Sequence, residues 1–60
     1  MQYRYKVIWT AKDGRTNSMM AGDTAAFHIY EELKKSSLIA SGQIYNEWTK
    51  TTMCSFDKEA

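Results

Sequence analysis

Sixty residues with a formal net charge of +1 make one small domain, and a chain this short buries only about 60% of the surface its unfolded form exposes. Its single cysteine excludes an internal disulfide, and one histidine with one cysteine cannot build a zinc site. Packing or association must supply the stability instead, and eight aromatics (Tyr3, Tyr5, Trp9, Phe27, Tyr30, Tyr45, Trp48 and Phe56) with four methionines are the material for it.

The opening MQYRYK has no apolar core of a signal peptide, and no run is long enough to span a membrane. With one cysteine and no glycosylation sequon, the expectation is a cytoplasmic protein. The net charge hides an asymmetry. Residues 1–22 carry Arg4, Lys6, Lys12 and Arg15 against Asp13, a local charge of +3, whereas residues 23–60 sum to −2.

Residues 2–11 (QYRYKVIWTA) alternate and are rich in β-formers, which predicts a first strand. Tyr3, Tyr5, Val7 and Trp9 share one face, and Arg4, Lys6, Ile8 and Thr10 share the other. Lys12-Asp13-Gly14-Arg15 is a hairpin signal, because Asp and Gly tolerate positive φ. Two registers are open for the return strand over 15–21. A two-residue turn pairs Val7 with Met20 and sets Lys12 against Arg15. A three-residue loop with a bulged Gly14 pairs Val7 with Met19 and avoids opposed cations, so the bulged form is favoured. Either way, one of Met19 and Met20 is expected in the core and the other beside Ile8 on the outer face.

Residues 23–37 (DTAAFHIYEELKKSS) form the one predicted helix, with regular turns over about 24–37. Gly22 is a breaker, Asp23 and Thr24 are N-cap candidates, and no Gly or Pro interrupts the run. Ala26, Ile29, Tyr30 and Leu33 fall on one face, the natural cover for the aromatic side of the first strand. His28, Glu31, Glu32 and Lys35 fall on the opposite face, with Glu31 and Lys35 spaced for an ion pair. Leu38 and Ile39 are expected to close the bottom of the core. Residues 42–48 and 51–56 predict two further strands, with their turn somewhere in 46–50 and a frayed polar end after it. The expected architecture is α+β, in the order ββαββ: one mainly antiparallel four-stranded sheet, a helix on one face, and the strand order open.

Few residues suggest chemistry. His28 with Glu31 and Glu32 shares a helical face, but nothing supplies a third ligand or a convergent pocket, so a solvated charged face is the simpler account. Cys54 has no neighbouring base or helix N-terminus to activate it, and is expected to be buried as a small hydrophobe. No phosphate loop, serine motif or carboxylate pair is present. The expectation is therefore a non-enzyme without metal or cofactor, and an enzyme built on His28 and Cys54 ranks last.

The outer face of the first hairpin is the better candidate. Arg4, Lys6, Ile8, Thr10, Lys12 and Arg15 would share or border one solvent-facing surface that suits an acidic protein or a nucleic-acid backbone. Trp48, among polar neighbours near a turn, is either a core residue at the sheet's end or a partly exposed anchor. The primary expectation is a protein-binding module, a small regulator or inhibitor docking by its sheet face or an edge strand on a larger partner. The apolar surplus (Ile8, one of Met19 and Met20, Trp48, Met53) would equally serve a homodimer. The alternative is a nucleic-acid-binding module, against which stand the near-neutral charge and aromatics that face the helix.

The order strand, Asp-Gly turn, strand, Ala-rich helix over residues 3–36 resembles the arm-binding N-terminal domains of tyrosine recombinases. That likeness implies a DNA-binding sheet face, but here a second hairpin follows. The whole order also resembles small bacteriophage proteins that inhibit host machinery by docking on it. Neither likeness carries a specific motif.

Overall fold

The structure is a computed structural model that describes residues 3–59. Four strands and one helix follow in the order β1 (Tyr5–Ala11), β2 (Thr16–Ala21), α1 (Asp23–Lys35), β3 (Ile39–Asn46) and β4 (Thr51–Asp57). All pairings are antiparallel, and the sheet order is β2-β1-β3-β4 with α1 across one face. The most apolar strand, β1, is thus central, as expected of a segment that pairs on both sides. The expected start of β1 at Gln2 lies outside the described residues.

The first hairpin adopts the bulged register. Val7 pairs with Met19, the Ala11 N–H donates to the Arg15 carbonyl at 2.8 Å, and Gly14 takes φ +95°. That backbone conformation is strained for a side chain bearing Cβ, so the Asp13-Gly14 signal is used as its chemistry dictates. Gly42, expected to open β3, instead lies within it. A Cβ there would come 2.8 Å from the Phe56 ring, so the glycine admits a close approach rather than starting the strand.

The core is small. Tyr5, Val7, Ala21, Ala26, Tyr30 and Ile44 form its buried cluster, and Trp9, Ile29, Leu33, Cys54 and Phe56 pack half-buried around it. Val7 and Ile44, opposite each other on β1 and β3, are its only large side chains with no exposed surface among the described residues. Edge-on aromatic pairs close the two ends of this layer: Tyr5 with Phe27 at 5.8 Å and Tyr30 with Phe56 at 5.4 Å.

Neither Met19 nor Met20 enters the core: they are 45% and 41% exposed. Met19 does face the helix side, but α1 lies over β1 and β3 and leaves the β2 edge uncovered. Ile39 is buried as the first residue of β3, whereas Leu38, one position earlier, is 73% exposed, with its carbonyl accepting from Lys12 N–H. Gly22, not Asp23 or Thr24, caps the helix, and no side chain joins it. Asp23 lies inside the first turn, where its charge suits the helix dipole. The helix ends at Lys35, with Ser36 extended and the Nζ of Lys58 reaching the Leu33 and Ser36 carbonyls. That distant lysine adds a second, cationic donor to two helix-end carbonyls that the Ser36 and Ile39 N–H groups already bond. Glu31 pairs with Lys34 at 3.7 Å rather than with Lys35.

Candidate docking surface

The alternation of β1 puts Lys6, Ile8 and Thr10 on the face away from the helix. Their cross-strand neighbours complete that face: Met20, Ser18 and Thr16 from β2, and Tyr45, Gln43 and Ser41 from β3. Ser55 and Asp57 of β4 extend it beyond Gln43 and Ser41. Together with Ile8 and Thr10, these last four side chains line a shallow open depression. The face is therefore hydroxyl-rich around a single half-buried isoleucine. The first hairpin alone would present a basic face; β3 and β4 add the hydroxyl and amide groups that dilute it.

The basic residues do not converge. Lys12 and Arg15 lie in or beside the loop at one end of β1 and Arg4 precedes its other end. Eight residues of extended chain separate Arg4 from Lys12, roughly 26 Å. Arg15 turns to Asp13 of its own loop at 3.4 Å, and Arg4 lies 3.7 Å from Asp23. Such exposed pairs contribute little to stability, but they do halve the free positive charge of the hairpin.

Arg4 has instead joined Trp48. Its guanidinium stands 4.6 Å from the centroid of the Trp48 ring and 5.9 Å from that of Tyr5. The backbone fixes both partners. The Arg4 carbonyl accepts from Glu47 N–H at 2.9 Å, which continues the β1–β3 ladder past its last pair. Buried Asn46 then organises the turn, its Oδ1 accepting from Trp48 N–H at 2.9 Å and Thr49 N–H at 3.1 Å. Lys50 completes the reversal at φ +59°, its N–H donating to the Asn46 carbonyl. Trp48 is left 58% exposed on a turn pinned from two sides.

The same end gathers further aromatic surface. Phe27, edge-on to Tyr5, and Tyr3, beside Gly22 at the start of α1, are both largely exposed. Trp48, Arg4, Tyr3 and Phe27 thus surround the end formed by the entry to β1, the N-terminus of α1 and the β3–β4 turn. Tyr3 and Phe27 were not singled out from sequence, where Tyr3 read as a core residue. Tyr3 precedes β1 and its first ladder pair with β2, Tyr5–Ala21, so it lies beyond the stretch of sheet that the helix covers.

The remaining candidates stay apart. His28, Glu31 and Glu32 are exposed on the outer face of α1, and Cys54 is half-buried on its inner side. Among the described residues no group of acidic, histidine and cysteine side chains is placed to hold a metal. Burial, followed by the Cys54 sulfur, pushes the Tyr30 phenol up to about 12, so it remains a neutral core group at ordinary pH. No helix is long and apolar enough to cross a membrane among the described residues. Comparison of the chain with protein families, curated proteins and solved structures gives no match.

Proposed function

We propose that the chain is a small non-enzymatic protein-binding module, of the regulator or inhibitor kind, that docks on a larger protein through the Trp48 end of its sheet and the adjoining open face. The observation that carries this reading is the exposed Trp48, held by Asn46 and stacked on Arg4. Trp, Tyr and Arg dominate the energetics of protein interfaces, and an anchor already fixed in place loses little entropy on binding. Lys6, Ile8 and Thr10 continue the surface along the sheet, so Ile8 offers a second apolar contact. A chain with one cysteine and no internal disulfide suits the reducing cytoplasm.

Phosphate contacts by Arg4, Lys6, Lys12 and Arg15 are the alternative, with less support because two of the four already face carboxylates. Affinity capture from the native host, with and without nuclease, separates the two. Protein docking predicts a partner retained after nuclease and only modestly sensitive to salt. Loss of all capture after nuclease, with binding that falls steeply as salt rises, would overturn it in favour of nucleic acid.

A further inference from the structure

The two edges of the sheet differ. On β4 the pairing slips between Ile44/Cys54 and Tyr45/Thr52, which leaves Met53 as a bulge and breaks the regular run of edge groups. β2 has no such protection. Its sequence, TNSMMA, contains no charge, proline or glycine, it pairs without a bulge, and every residue but Ala21 is exposed. Natural sheets usually blunt an edge of this kind.

The ladder fixes which groups are free. The Ala11 N–H bonds to Arg15, so Trp9–Asn17, Val7–Met19 and Tyr5–Ala21 follow as the hydrogen-bonded pairs of β1 and β2. The Lys12 N–H and the Arg4 carbonyl, of the other parity, point to the opposite side, to Leu38 and Glu47, in agreement with that phase. Thr16, Ser18 and Met20 therefore direct their N–H and C=O groups away from the sheet, into solvent.

We propose that β2 pairs antiparallel with β2 of a second copy of this chain, about a two-fold axis at Ser18. Of the symmetric registers, this one uses all three outward residues: Thr16 against Met20 of the other copy, Ser18 against its equivalent, and Met20 against Thr16. Three hydrogen-bonded pairs give six backbone bonds. No charged side chain is opposed within the strands. Beyond the strands, the loop of one copy (Lys12, Asp13 and Arg15) comes alongside Asp23 of the other, where Arg15 already faces Asp13 and Asp23 already faces Arg4, so the flanks neither drive nor oppose the pairing. Asn17 meets Met19 across the pair on the helix side, and both half-exposed methionines gain cover. The bulged β4 edge disfavours the head-to-tail pairing that would make filaments, so the assembly closes at two. The interface is a strand edge without helix contact, smaller than the roughly 1,600 Å² of standard complexes. The dimer is accordingly reversible, with a dissociation constant of about micromolar or weaker, so it forms as the concentration rises and dissociates on dilution. It leaves the Trp48 end exposed on both copies.

Charge-swap variants at the axis test it by sedimentation. The unmodified chain should pass from monomer to dimer as its concentration rises. Ser18→Lys and Ser18→Asp, each placing like charges face to face, should each remain monomeric at least tenfold higher in concentration. An equimolar mixture of the two should dimerise. Amide exchange of the unmodified chain gives a readout free of substitutions: the N–H groups of Thr16, Ser18 and Met20 should slow with concentration, and those of β4 should not. A chain that stays monomeric throughout, single variants that dimerise like the parent, or a mixture that stays monomeric would each overturn the proposal. So would exchange at Ser18 that is indifferent to concentration.

Discussion

The Arg4 guanidinium stacks 4.6 Å from the centre of the Trp48 ring and ties the entry of β1 to the β3–β4 turn. At an exposed site such a contact contributes about 0.5–1 kcal/mol. A double-mutant cycle of Arg4→Ala and Trp48→Ala, followed by denaturant unfolding, should return a coupling energy in that range. Each single substitution should leave the fold intact. Arg4→Lys should weaken the coupling, because an ammonium does not stack as a planar guanidinium does.

The turn that presents Trp48 depends on Asn46. Asn46→Ala removes the acceptor of two backbone N–H groups and should destabilise the fold by about 1–3 kcal/mol. Asn46→Asp keeps the acceptor and should lose much less. Lys50, held at φ +59°, gives the opposite case: Lys50→Gly should stabilise by about 1 kcal/mol. Chemical denaturation of the three variants checks both directions.

Gly42 reports on packing at the sheet's centre. Gly42→Ala would set a methyl group 2.8 Å from the Phe56 ring. Phe56 is also edge-on to Tyr30, so its displacement disturbs the core. The expected loss is about 1–3 kcal/mol. Phe56→Leu combined with Gly42→Ala should recover part of it, as read from the midpoint of thermal unfolding.

Tyr30 sets an alkaline limit on stability. Its phenol ionises at an ordinary value near 10 in the unfolded chain and at about 12 when folded, because burial and then the Cys54 sulfur disfavour the phenolate. A raised folded value contributes stability that is fully present below pH 10. That contribution declines as pH rises from 10 to about 12, where the unfolded chain releases the proton first. Tyr30→Phe should flatten the pH dependence of unfolding across this window. Cys54→Ala should lower the Tyr30 ionisation, as followed by the absorbance of phenolate.

What the chain discloses before folding is mostly local chemistry. Asp13-Gly14 states its own turn, because few other residues accept the required backbone, and the cation opposition of Lys12 and Arg15 selects the bulged register. Ala26, Ile29, Tyr30 and Leu33 state the buried face of α1 by spacing alone. Met19 and Met20 mislead, because their burial depends on where α1 crosses the sheet, a tertiary fact that strand periodicity does not contain. Leu38 misleads for a similar reason: Ile39 takes the inward place where β3 begins, and that leaves the preceding side chain outside. Arg4 has the parity of the open face, yet it lies at a strand end with a long side chain, free to reach Trp48 and Asp23. The aromatic end is legible only after the β1–β3 pairing brings Arg4 and the turn at residues 47–50 together.

The role proposed for the Trp48 end, continued by the open sheet face, is to bind a protein partner. Quantitative capture from nuclease-treated host lysate by the unmodified chain, Trp48→Ala and Ile8→Glu, each verified as folded, tests it most directly. A partner should be held by the unmodified chain, lost at least tenfold with Trp48→Ala, and weakened with Ile8→Glu. Capture unchanged by Trp48→Ala would contradict it.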